Sequence, residues 1–254
     1  MKIYKQEIAD GIDALVASQA CITYASVAEP CEDTKAFAFN NIKSVAAIED
    51  KDLYYVQSIL VSSTWNKNDD VFDRGEIWKA KSTPEDKPTN LEHDESVVVG
   101  HITSNYPIDD NGQVIPVETL ENDLPEKYHI LTGSVIYRAY SDPELKARAE
   151  NLINEIEEGS KYVSMECYFK NFDYGLKNET TGEFKVLARK EDTAYLTKHL
   201  RAYGGTGQHE GYSVGRVLRD ITFSGKGFVD KPANNDSIIF SRTMLNKFLE
   251  EYSP

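Results

Sequence analysis

The groups in this chain equipped for acid–base or nucleophilic chemistry centre on its five histidines, His93, His101, His129, His199 and His209. His93 lies in Asn90-Leu91-Glu92-His93-Asp94, where a loop meets a predicted strand. Such junctions are where a rigid sheet commonly presents reactive side chains, although a solvated surface histidine accounts for the position equally well. The stretch Lys161-Tyr162-Val163-Ser164-Met165-Glu166-Cys167-Tyr168-Phe169 alternates like a half-buried strand. Val163, Met165, Cys167 and Phe169 share one face; Ser164, Glu166 and Tyr168 share the other, which looks toward solvent or something polar. A serine hydroxyl is inert until a base takes its proton, so Ser164 acts as a nucleophile only with a histidine beside it. Taken alone, it reads as a structural strand serine.

Metal chemistry is the competing use of these residues. His93, Asp94, His101 and Asp109 are all capable ligands and close in sequence,. The separation of His93 from His101 matches neither a helical H-E-x-x-H nor a zinc-finger spacing, so no metal is expected. Asp69, Asp70 and Asp73 suggest calcium, but Gly75 and Glu76 fall outside the positions an EF-hand loop requires. Gly204-Gly205-Thr206-Gly207 neither follows a predicted strand nor carries a lysine, which argues against a phosphate-binding loop. No cofactor is expected.

The bulk properties bound the remaining options. The 254 residues fit a single domain over 1–254, with residues 1–50 as a helical extension and 204–211 as a flexible glycine-rich loop,. Forty-two acidic against 28 basic residues give a formal charge of −14, a field that repels phosphate backbones and argues against nucleic acid,. Cys21, Cys31 and Cys167 form no C-x-x-C pair and suit a reducing compartment,. The N-terminus lacks the apolar core of a signal peptide, and no run approaches the roughly 18 apolar residues of a membrane helix. A soluble, intracellular protein is expected.

The elements that must position these residues are legible in outline. A helix is expected over about 8–24, weakened by Gly11, and a strand over Asp52–Val61,. Lys81–Pro88 is breaker-rich and reads as loop; Ser96–Ile102 reads as a short strand whose Gly100 suits a bulge or a close backbone approach. The clearest helix begins at Pro143, capped by Ser141 or Asp142, and ends at Gly159. A hairpin around Asn178–Gly182 leads to Phe184–Leu187, a helix covers Asp192–Ala202, a strand covers Arg219–Ser224, and a final helix covers about 243–251. Strands and helices mix without a βαβ rhythm, which indicates α+β.

Three blocks in the same order resemble the tailed-phage prohead (capsid maturation) proteases, whose members share a fold with the herpesvirus assemblins. The first is Trp65 to Asp73, followed by Asn90-Leu91-Glu92-His93-Asp94 and Val99-Gly100-His101-Ile102. The second is Glu157-Glu158-Gly159 followed by Val163-Ser164-Met165-Glu166. The third is Phe223 to Asn234, similar to the family's closing strand and its Pro-Ala-Asn turn.

The resemblance implies an α+β fold built on a small, mainly antiparallel β-barrel with flanking helices. It implies Ser164 as nucleophile and His93, 71 residues earlier, as general base. Many relatives carry a glutamate or histidine on the closing strand, where this chain has Ser224-Gly225-Lys226-Gly227. Asp220, read as lying on that strand, is therefore the expected third catalytic group, with Ser224 as its rival. A surface carboxylate explains Asp220 equally well. The implied partners are phage scaffolding and major capsid proteins and the chain itself, inside the immature head in the bacterial cytoplasm, with a homo-oligomer compatible and neither nucleic acid nor membrane involved. Leu249-Glu250-Glu251 and Ile156-Glu157-Glu158 resemble the cleavage sites of some relatives, with Glu251–Tyr252 the expected self-cleavage point. A non-catalytic head-assembly or scaffolding protein with a degenerate protease fold is the alternative.

Overall fold

The structure, a computed structural model, describes residues 1–18, 21–24, 50–230 and 239–240, with the backbone alone at 21–24 and 240. The helix expected over 243–251, the Pro232-Ala233-Asn234 turn and the Glu251–Tyr252 bond lie outside the described residues. The helices are α1 (Lys5–Ala9), α2 (Asp13–Ser18), α3 (Arg74–Ala80) and α4 (Pro143–Glu157). The strands are β1 (Cys21–Tyr24), β2 (Leu53–Ser62), β3 (Asp70–Val71), β4 (Pro88–Leu91), β5 (Asp94–Asp109), β6 (Tyr128–Tyr137) and β7 (Tyr162–Tyr168). They continue with β8 (Asn171–Asn178), β9 (Phe184–Leu187), β10 (Gln208–His209), β11 (Tyr212–Arg219), β12 (Thr222–Val229) and β13 (Ile239–Phe240). The chain is mixed α and β with few helices, compatible with α+β. It divides into two compact units.

The first unit comprises residues 1–22, 63–80 and 167–222. Its sheet runs β10-β11-β8-β9, with β3 on the flank of β11. The helix expected over about 8–24 is not continuous: Gly11 takes a left-handed φ of 71° that ends α1, α2 covers Asp13–Ser18, and Cys21–Tyr24 is the strand β1,. Arg189 donates to both carboxylate oxygens of Glu7, at 2.7 and 2.8 Å, with both side chains fully buried, and so ties α1 to the segment after β9. The helix expected over Asp192–Ala202 is two 3-10 turns, Ala194–His199 and Arg201–Tyr203. In the glycine-rich stretch, Gly205 and Gly207 donate backbone hydrogen bonds to Leu200 and His199 before β10 pairs with β11.

The second unit, residues 23–62, 81–166 and 223–254, holds a curled, half-barrel sheet in the order β1-β7-β12-β4-β5-β6-β2-β13. Most of its pairings are antiparallel; β12 and β4 run parallel. The expected short strand around Gly100 is part of the 16-residue β5. A side chain at Gly100 would meet the Val135 carbonyl oxygen at 1.8 Å, so glycine is what lets β5 and β6 approach,. Helix α4 begins as expected: Asp142 accepts from the Glu144 and Leu145 amides, Pro143 fills the first turn, and Gly159 follows the end with a φ of 75°,. Its Leu152, Ile153 and Ile156 pack on Tyr54, Val56, Val99, Ile136, Val163 and Phe228. Burying each such side chain contributes about 1.5–3 kcal/mol. This packing fixes β7 through Val163 and β12 through Phe228, the two strands beside which the site forms.

Along β12 the pleat sends Ser224, Lys226 and Phe228 to one face and Gly225 and Gly227 to the other,. Lys226 is fully buried, and its ammonium donates to Ser58 Oγ at 2.9 Å and Thr132 Oγ1 at 3.1 Å. Burial pushes its pKa down to about 7,. The unfolded chain therefore binds this proton more tightly than the folded one, and stability rises with pH between about 7 and the ordinary lysine range,. Replacing Lys226 by Met should stabilise the protein by on the order of 3 kcal/mol at pH 7, with a gain that shrinks as the pH is raised toward 10. Denaturant unfolding of both proteins across that range checks this, and a gain independent of pH would contradict it.

Candidate active site

The histidine-bearing segment is a tight hairpin. Leu91 of β4 pairs with Asp94 of β5, so Glu92 and His93 are the two residues of the turn. Both take left-handed backbone angles, φ 50° for Glu92 and 62° for His93. That is the geometry of a type I′ turn, which normally uses Asn-Gly because side chains are disfavoured there. Each non-glycine residue so held costs on the order of 1 kcal/mol. The turn carries the imidazole past β12 to β7, where its Nε2 meets Ser164.

On β7 the alternation places Ser164 and Glu166 on the face opposite Val163. Of the two environments open to that face, Ser164 meets the polar one: it is 1 % exposed and Glu166 6 %, and Tyr168 at the end of the strand reaches solvent, at 48 %. His93 Nε2 lies 2.5 Å from Ser164 Oγ, and His93 Nδ1 lies 2.9 Å from Glu166 Oε1. Asn90, on β4 just before the hairpin, donates from Nδ2 to the same oxygen at 2.7 Å. An ionised Glu166 holds the proton on Nδ1 and leaves the Nε2 lone pair to accept from the serine hydroxyl. Serine, imidazole and carboxylate thus form one hydrogen-bonded chain, the arrangement by which a hydroxyl is made nucleophilic.

Two glycines make room for it. A methyl group at Gly225 would lie 2.7 Å from Glu166 Oε2, and one at Gly227 would lie 3.0 Å from His93 Nδ1 and Asn90 Oδ1. The closing strand therefore gives space where the sequence pattern led one to expect a catalytic side chain.

Asp220 is not the histidine's partner. It is in the turn between β11 and β12, not on the strand, with a left-handed φ of 54° that aspartate tolerates,. Its backbone N–H donates to Glu76 Oε2, and it belongs to the first unit, whereas His93, Ser164 and Glu166 belong to the second. Ser224, the rival, is on the Lys226 face of β12, opposite to the glycines that line the site,. Glu166 was visible in the sequence as the residue sharing a strand face with Ser164, two positions on; the signal was the S-x-E alternation itself.

The other weighed residues go elsewhere. His101 Nδ1 pairs with the Tyr137 hydroxyl at 2.9 Å, Asp94 accepts from Ser96, and Asp109 caps the turn at Asn111 and Gln113. Asp70 forms a two-pronged pair with Arg216 at 2.6 and 3.0 Å, Asp69 pairs with Arg201, and Asp73 accepts from the first amides of α3. His199 and His209 stack with ring centroids 4.3 Å apart, and burial, then the neighbouring His209, holds the His199 pKa below its ordinary value. His129 Nδ1 lies 2.7 Å from Ser62 Oγ and Nε2 2.9 Å from Asp110. Ser62 and His129 face one another across the β2–β6 ladder, so that contact follows from strand register alone,.

Comparison with protein-family models, curated proteins and solved structures finds no match.

A fluorophosphonate, which reacts with an activated serine by losing fluoride, reads this geometry without a known substrate. The Glu166→Gln variant should label at Ser164 roughly 10³- to 10⁴-fold more slowly than the wild type, because the amide no longer fixes the tautomer. Gly227→Ala should also slow labelling by displacing the imidazole, and Asp220→Asn should leave it unchanged. Intact-mass time courses check all three; full reactivity in Glu166→Gln would remove the carboxylate from the chain.

Proposed function

We propose that this chain is a serine endopeptidase of the prohead-protease type, with Ser164 as nucleophile, His93 as general base and Glu166 as the carboxylate that orients it. The observation that supports this is the continuous Ser164–His93–Glu166 hydrogen-bonded chain, with Asn90 as a second donor to the carboxylate. The order of the sequence blocks adds to it, and the curled, mainly antiparallel sheet is compatible with the α+β class that the resemblance implies. In this reading the third group has moved from the closing strand to the strand of the serine, and Gly225 and Gly227 leave the volume it occupies.

The chemistry is acyl transfer. His93 Nε2 takes the Ser164 proton as Oγ attacks the scissile carbonyl carbon, and Glu166 stabilises the imidazolium that results. The imidazolium then gives that proton to the leaving amine nitrogen as the C–N bond breaks. Water, deprotonated by the same imidazole, resolves the acyl-enzyme. The substrates are the scaffolding and capsid proteins within the immature phage head in the host cytoplasm, and the chain itself. Of the two self-cleavage sequences, Ile156-Glu157-Glu158 closes α4, with Ile156 2 % exposed, so it does not offer the extended, accessible strand a protease needs,.

One observation favours the non-catalytic assembly reading: Ser164 is almost wholly covered, so a carbonyl must displace part of that cover to reach Oγ. Co-expression with cognate scaffold and capsid proteins decides between the two. Wild-type chain should cleave them and Ser164→Ala should not, by intact mass; equal, uncleaved masses in both would leave only the assembly role.

A further inference from the structure

The hairpin that carries His93 is intrinsically disfavoured, and a largely buried amine stands among the contacts that hold it down. Lys161 immediately precedes β7, three residues before Ser164, and its side chain is 11 % exposed. Its Nζ lies 2.5 Å from Asp230 Oδ1, 3.5 Å from Glu155 Oε2 and 3.6 Å from Glu92 Oε1. Glu92 is the other left-handed residue of the turn. Its carboxylate also accepts from the Asp230 backbone N–H at 3.0 Å, and its own N–H donates to the Phe228 carbonyl at 3.0 Å. One lysine therefore joins the root of the serine's strand, the histidine's turn, the end of β12 and the last turns of α4.

Resting on the serine–histidine reading of the site, we infer that Lys161 is a positioning residue, which acts through Glu92 to hold the strained turn so that the His93 imidazole reaches Ser164. The electrostatics require a cation here. Without Lys161, three carboxylates converge on a space with no other counter-charge among the described residues, and repulsion pushes Glu92 outward,. Glu92 and His93 are consecutive residues of a two-residue turn, so the turn cannot move at one without moving at the other. A shift of about 1 Å in a reacting group is enough to cost roughly 10²-fold in rate. Because the three carboxylates are 47–71 % exposed, the clamp is open to screening by salt, while the buried Glu166 contact is not,.

The test compares wild type, Lys161→Met, Lys161→Arg and Glu92→Gln by fluorophosphonate labelling at Ser164 and by the far-downfield proton resonance of His93 Nδ1–H. Lys161→Met should label about 10- to 100-fold more slowly and lose the downfield resonance. Lys161→Arg should recover most of the rate, and Glu92→Gln, which keeps the acceptor for the Asp230 amide, should fall between. Raising the salt to about 1 M should slow the wild type toward the Lys161→Met rate and leave that variant unaffected. Wild-type labelling and resonance in Lys161→Met would overturn the inference while leaving the serine–histidine site intact. If the wild type itself does not label, the reading of Ser164 fails, and the resonance still decides the clamp: its loss in Lys161→Met supports it, and its persistence overturns it. Should Lys161→Met not fold, Glu92→Gln and the salt series carry the comparison: wild-type labelling and resonance in Glu92→Gln, with no slowing of the wild type at about 1 M salt, overturns the clamp.

Discussion

The Glu166 carboxylate is the group around which the second unit is arranged. It is buried, and a buried carboxylate is tolerated only when its oxygens are met by donors. Here two donors from one hairpin, Asn90 and His93, converge on Oε1. That convergence depends on β4 lying next to β12 and β12 next to β7, and on the middle strand presenting no side chain between them. Gly225 and Gly227 meet that condition, and the helix packed on Val163 and Phe228 keeps β7 and β12 in place.

Strain and charge are distributed accordingly. The left-handed Glu92–His93 turn costs backbone energy in order to aim one imidazole, and contacts from Phe228, Asp230 and Lys161 offset that cost. On the opposite face of β12, Lys226 carries a second cost, an amine buried among hydroxyls with its charge disfavoured. A protein that places two such costs on neighbouring strands, β4 and β12, needs a well-packed neighbourhood to keep them. The Leu152, Ile153 and Ile156 face of α4 supplies it. In the first unit the buried pairs Glu7–Arg189 and Asp70–Arg216 are matched in charge and geometry, so they impose no comparable strain,.

Much of this could be read from the chain. Period-two alternation gave β7 its two faces, the Asp142-Pro143 start and Gly159 stop bounded α4, and Gly100 marked a close approach of backbones. The α+β class followed from the irregular mixing of strands and helices. Other elements were misread for physical reasons. Asp220 looked like a strand residue because aspartate in a tight left-handed turn leaves no mark on the surrounding alternation. The Asp192–Ala202 segment had helical composition but closes in 3-10 turns.

The sequence by itself determined that Ser164 and Glu166 point the same way, because side chains two apart on a strand must do so. It also determined that residues 225 and 227 carry no side chain. Only the tertiary structure decided that these facts belong to one site. Whether His93, 71 residues away, reaches Ser164 depends on which strands are neighbours and on the hand of a two-residue turn. Strand order and turn hand are set by the packing of the whole sheet, and no local pattern of residues encodes them.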